Sequence, residues 1–202
     1  MTKYLKFINF IQELMLGISI LILCVLPATL LLWPQFLGQN FFTNIYSLSL
    51  VSVFFVMIIR PLADLSPNRI WVRPLVILRK GFGVFSASII VSFMIAKSIE
   101  LGFHDYVLQY FDSAYWSFED FKFFAHLGDL TAVPLLVTSN NLSKQILGKN
   151  WKRLQQLAYV YFYSGAIYEA LVFQSKLAII AIPVVSILVI VSFFYKLKKN
   201  KI

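Results

Sequence analysis

His126 and Asp129 lie three residues apart in an otherwise apolar stretch and are the first place to look for chemistry in this sequence. At that spacing they share one helix face and can interact. An imidazole beside a carboxyl can relay a proton or hold a small polar molecule. Alternatively, the two hydrogen-bond each other and fix helix packing. Glu169, in a later apolar stretch, is a third candidate for the same polar pocket. Ionisable groups in hydrocarbon are costly and usually face a bundle interior, so each is a site candidate by default. Lys97, Glu100 and Lys176 sit nearer the ends of their stretches, where long side chains snorkel to the headgroups. The sequence holds no nucleophile–base arrangement, no paired zinc-ligand motif and no soluble catalytic domain. Gly81 and Gly83 follow no strand and precede no Gly-Lys-Ser/Thr, so they form no phosphate-binding loop. Like Gly165, they are read as points of close helix approach. Cys24 stands alone in an apolar run and is read as a small packing residue, with no disulfide or thiolate metal site.

The elements that must position these residues follow from composition. The 202 residues are 59% hydrophobic and 13% charged, with mean hydropathy +0.78. An ordinary globular chain is about one quarter charged. Here the charges cluster between long apolar runs, as in an all-α integral membrane protein, because crossing the hydrocarbon takes roughly 20 apolar residues. Six spans are predicted, at about 11–33, 42–60, 81–101, 121–138, 154–173 and 177–195. Trp33-Pro34 and Arg60-Pro61-Leu62 are read as stops, and Gln174-Ser175-Lys176 as a tight turn. Tyr110, Phe111, Tyr115, Trp116 and Phe118 crowd the loop before the fourth span, as in a segment lying at the headgroups.

Alternating spans place fifteen of the eighteen Lys and Arg on the side of the amino terminus, leaving Lys97, Lys122 and Lys176 on the other. The positive-inside rule then puts both termini in the cytoplasm. The net charge of +9 is a topology signal, and nucleic-acid binding is not needed to explain it. The basic cluster Lys149, Lys152 and Arg153 has the same explanation.

Three motifs then carry a family resemblance. They are Arg60-Pro61-Leu62, Arg79-Lys80-Gly81-Phe82-Gly83, and Thr138-Ser139 followed by Leu147-Gly148-x-x-Trp151-x-x-Leu154-x-x-Leu157-x-Tyr159. In order and spacing the chain resembles the ferric-reductase-like transmembrane domain, and within it the haem-binding membrane subunit of the bacterial methionine-sulfoxide reductase system. The resemblance implies a six-helix bundle in the bacterial inner membrane. It also implies electron transfer through haem b ligated from helices three and five, with a redox partner protein or another membrane subunit. The family's histidine positions fall here on Phe93, Gln155 and Tyr168. His126 and Met94 are the residues that could serve a rearranged site. Two functions are therefore expected as alternatives. One is a transmembrane electron-transfer subunit, haem-free or rearranged. The other is a non-redox membrane partner or small-ligand-binding subunit with an outward-facing pocket around His126 and Asp129.

Overall fold

The structure is a computed structural model that describes residues 2–66, 69, 71–118 and 121–199. It is all-α: α1 (Thr2–Leu32), α2 (Gln39–Leu65), α3 (Leu78–Leu101), α4 (Phe103–Gln109), α5 (Lys122–Val137), α6 (Asn141–Leu147), α7 (Lys149–Leu154), α8 (Leu157–Val172) and α9 (Lys176–Lys199). Among the described residues four helices are long and apolar enough to cross a bilayer. They cover Lys3–Leu32, Asn40–Leu65, Arg73–Leu101 and Lys176–Lys198. By length and composition these are the helices of an integral membrane protein.

The six expected spans are met only in part. The regions expected as the fourth and fifth spans form α5 and α8, of 16 residues each. At 1.5 Å per residue each is about 24 Å long, short of the roughly 30 Å hydrocarbon core. The fifth does not begin at Leu154, because the chain turns at Gln155 and Gln156 between α7 and α8. The first span reaches back to Thr2, since Lys3 and Lys6 do not interrupt the helix. Arg60-Pro61 does not close α2, which runs on through Pro61 to Leu65. A proline removes one intrahelical bond, and this close to the helix end the loss is absorbed. Trp33-Pro34 does end α1, with a short 3-10 turn at Pro34–Phe36.

The core lies where α2, α5, α8 and α9 meet, around Met57, Ala132, Phe162, Ala166, Ala178, Ala181 and Val185. Four of these seven are alanines, all at most 1% exposed. In lipid, small residues let helices approach closely without an opposing side chain. A second seam joins α1 to α3 through Leu26, Phe85 and Ile89. A Cβ on Gly81 would stand 3.2 Å from the Met15 Cβ and 3.4 Å from the Gln12 carbonyl oxygen. Close approach is therefore what Gly81 supplies. Gly83 has only an ordinary contact with Val56, and Gly165 has no neighbour within 4 Å, so neither serves that purpose. Cys24 is exposed on α1 instead of packed inside.

Along α1 and α9 the polarity is inverted relative to a soluble helix. Phe7, Phe10, Ile20, Leu21, Ile180, Ile187 and Phe194 are all exposed. Such faces suit contact with a lipid bilayer. The Tyr4 hydroxyl donates to the Trp71 carbonyl, and Lys196 pairs with Asp64. The start of α1, the end of α2, the stretch 71–77 and the end of α9 therefore share one end of the bundle.

Candidate functional site

His126 and Asp129 share α5, and of the two only Asp129 lines the cavity described below. His126 is buried on the face that meets α4 and the 3-10 turn Ser113–Trp116. Its ring stacks on Tyr115 at 3.6 Å between centroids and 17° between planes. Tyr110 and Trp116 meet it edge-on at 6.3 and 6.1 Å. The Lys97 ammonium lies 5.6 Å above the other partner in this pile, the Tyr115 ring. The box is tied together by the Trp116 indole, which donates to the Tyr110 carbonyl at 2.9 Å, and by the Tyr106 and Tyr110 hydroxyls, 3.0 Å apart. Neither imidazole nitrogen has a hydrogen-bond partner among the described residues. The expected His126–Asp129 hydrogen bond is therefore absent there. Three rings, those of Tyr110, Tyr115 and Trp116, pack around the imidazole instead. Burial above all, with Tyr106 and Asp129 adding, pushes the Tyr115 phenol up to about 12. Burial likewise raises Tyr106 and Tyr110.

Asp129 lines a cavity of about 100 Å³ between α2, α3, α5 and α8, while its charge also reaches Tyr115. Its polar walls are Tyr46, Ser49, Asp129, Tyr161, Tyr168 and Glu169, and its apolar floor includes Leu50, Val53 and Ile90. Glu169 is 2% exposed. One of its oxygens, Oε1, accepts from the Ser47 hydroxyl at 2.7 Å, whereas Oε2 has no hydrogen-bond partner among the described residues. Gly165 borders this space, and its missing side chain is part of the opening. A water molecule occupies about 30 Å³ in the liquid, so the cavity suits a ligand of a few heavy atoms. It is well below the roughly 300–1,000 Å³ of sites for drug-sized molecules.

Beside the cavity a hydroxyl network joins three helices. The Ser86 hydroxyl lies 2.8 Å from that of Ser49 and 2.9 Å from that of Tyr161, and Ser49 and Tyr161 are 3.2 Å apart. Ser86 also donates to the Ser49 carbonyl at 3.0 Å. Tyr161 is thereby held in place with its ring on the cavity wall.

The positions expected to hold haem do not form a haem site. Phe93 stacks on Tyr46 at 4.9 Å, Tyr46 on Phe173 at 5.8 Å, and Tyr168 meets Phe173 edge-on at 5.9 Å. Four rings thus fill the space between α2, α3 and the end of α8. Gln155 lies at the turn before α8, its amide 3.5 Å from the Thr138 hydroxyl. The break at 155–156 removes the continuous helix that would space Gln155 from Tyr168 along one axis. Met94 is half-buried on α3, and His126 is enclosed by Tyr110, Tyr115 and Trp116. Phenylalanine has no donor atom and a glutamine amide is a poor iron ligand, so these residues do not fit b-type haem. No group of three or more His, Cys, Asp or Glu side chains able to hold a metal ion occurs among the described residues.

The Thr138–Tyr159 motif has a structural role visible in the coordinates. The Trp151 indole donates to the Thr138 carbonyl at 2.9 Å, tying α7 back to the end of α5. Gly148 has φ +49°, a backbone that favours glycine and lets α6 turn into α7. The exposed side chains of Lys97, Glu100 and Lys176 suit the snorkelling reading. Glu119 and Asp120 lie outside the described residues. Sequence reasoning missed Tyr46, Ser49 and Tyr161. The signal available was the serine row Ser47, Ser49 and Ser52 in an apolar helix. Comparison with protein-family models, curated proteins and solved structures gives no match.

Proposed function

We propose that this chain is a haem-free membrane protein that binds a small hydrogen-bond-donating or cationic ligand in the cavity between Asp129 and Glu169. The unpartnered Oε2 of Glu169 carries this reading. A buried acceptor without a donor costs about 1–3 kcal/mol, and more if charged. The Asp129 carboxyl lines the same space, and no lysine or arginine does. A ligand bearing N–H or O–H groups, or a small cation, would satisfy both carboxyls, and the aromatic walls Tyr46 and Tyr168 suit a cation as well. The architecture on this reading is the six-helix ferric-reductase-like bundle, with α5 and α8 as short spans. The distribution of Lys and Arg supports cytoplasmic termini on this reading, and the resemblance supports a bacterial inner membrane. The cavity lies in the half of the bundle away from the termini, since Tyr46 is near the start of α2 and Glu169 near the end of α8.

The electron-transfer alternative needs a ligand set that Phe93, Gln155 and Tyr168 do not provide. The test is a thermal-stability screen of detergent-purified protein with ammonium, methylammonium, guanidinium, sodium and potassium at constant ionic strength. One or more of these is expected to stabilise the wild type and to lose that effect in Glu169→Gln and Asp129→Asn. A flat response across the panel refutes the reading. So does a Soret band, after expression with ample haem, that sharpens on reduction.

A further inference from the structure

A second concave site lies at the opposite end of the bundle, where both termini gather. It has a volume of about 350 Å³ and is lined by Arg60, Asp64, Arg73 and Lys196, with Ala63 and Tyr195 among its less polar walls. The four charged residues come from three separate elements: the last turns of α2, the 3-10 segment Arg73–Ile77, and the end of α9. Asp64 organises them. Its Oδ2 lies 2.6 Å from the Lys196 ammonium and 3.7 Å from the Arg60 Nε. The first contact neutralises the single acid. The second is too long for a good hydrogen bond, so the Arg60 guanidinium keeps its donors available. Arg73 makes no ion pair among the described residues. The lining therefore carries three cations and one anion. Helix C-termini, worth roughly half a negative charge each, do not cancel that excess.

We propose that this pocket binds a phosphate group, either the headgroup phosphate of an anionic phospholipid or a free phosphate. Two guanidinium groups with available donors on the walls of one cavity are the chemistry that recognises phosphate oxygens bidentately. The site is more than the general cationic character of this end. Lys149, Lys152 and Arg153 are equally basic, yet they line neither described cavity. A positive-inside distribution requires only that cations lie on this side, not that they converge.

The test uses full-length protein in a neutral detergent. Thermal stability is followed on titration with short-chain phosphatidylglycerol, phosphatidylcholine and inorganic phosphate at constant ionic strength. Phosphatidylglycerol is expected to stabilise the protein well above phosphatidylcholine. Arg60→Gln and Arg73→Gln should each weaken that response roughly tenfold, as the loss of one charge-assisted hydrogen bond implies. A matching arginine-dependent response to inorganic phosphate identifies a free phosphate as sufficient, whereas a response to the lipid alone identifies the headgroup. Both arginines lie on the rim of the fold, and the response of each variant to phosphatidylcholine reports that it is folded. Equal stabilisation by the anionic and the zwitterionic lipid overturns the proposal. An equal loss in the control triple variant Lys149→Gln/Lys152→Gln/Arg153→Gln also overturns it, since binding would then follow net charge and not this pocket.

Discussion

Replacing Tyr161 by phenylalanine tests whether the cavity wall is held by its hydroxyl network or by packing. The substitution keeps the ring, which is 6% exposed, and removes contacts to Ser86 at 2.9 Å and Ser49 at 3.2 Å. The two serines are not orphaned, because their hydroxyls remain 2.8 Å apart and Ser86 still donates to the Ser49 carbonyl. Interhelical hydrogen bonds of this kind in membranes average about 0.6 kcal/mol and reach about 1.7. Two such contacts, one of them long, give an expected loss of about 1 kcal/mol for Tyr161→Phe. Tyr161→Ala removes the ring as well and is expected to cost about 3–5 kcal/mol, by analogy with other buried aromatic truncations. The assay is reversible unfolding in mixed micelles, followed by circular dichroism. Ser86→Ala and the double variant complete the cycle, with an expected coupling of about 0.6 kcal/mol. A loss above about 3 kcal/mol for Tyr161→Phe, or strict additivity with Ser86→Ala, would refute the assignment of Tyr161 to this network.

Gly81→Ala is expected to destabilise by about 1–3 kcal/mol, because its Cβ would crowd Met15 and Gln12. Gly17→Ala, with nothing within 4 Å, should be neutral or gain up to about 1 kcal/mol from helix propensity; equal effects in thermal unfolding would count against the α1–α3 contact. His126→Phe should be tolerated, since both imidazole nitrogens lack partners among the described residues and the stack on Tyr115 survives. His126→Ala should lose about 0.5–1.5 kcal/mol of ring pairing and red-shift the Trp116 emission. The reverse order would refute an aromatic role. Tyr115 is raised from 10.0 to about 12, so the folded state holds its proton where the unfolded state releases it. The stability it contributes is whole below pH 10 and is lost as pH rises toward about 12. In an alkaline unfolding series Tyr115→Phe should flatten that decline, and an unchanged slope would exclude Tyr115 as its source.

Length and apolarity made α1, α2, α3 and α9 legible, because an uninterrupted apolar run has little alternative to a helix in lipid. Helix ends were harder. Pro61 looks like a stop in sequence, but a helix near its end tolerates it, and the break at Gln155–Gln156 carries no proline or glycine to announce it. His126, Asp129 and Glu169 stood out in the sequence as ionisable groups within apolar stretches. Their grouping did not, because spacing on one helix fixes a face but not what folds over it. Nor was it legible which rings of the aromatic segment cover His126: Tyr110, Tyr115 and Trp116 do, whereas Phe111 and Phe118 are exposed. Tyr46, by contrast, is separated by some eighty residues from its cavity partner Asp129, a pairing no local pattern encodes.

The shortness of α5 and α8 has a consequence for the surrounding membrane. Both present apolar side chains outward, including Leu130, Val137, Val160 and Leu171. On the six-span reading proposed above, a pair of helices about 6 Å shorter than the hydrocarbon core would create a hydrophobic mismatch on their flank, next to the longer α9. A bilayer meets such a mismatch by local thinning or by snorkelling of flanking residues, at a cost of fractions of a kcal/mol per Å. Acyl-chain length thereby becomes a variable that acts on the cavity walls themselves, since α5 carries Asp129 and α8 carries Glu169. Short-chain lipids would relax that flank and long-chain lipids would strain it, giving the bilayer a mechanical hold on the two carboxyls.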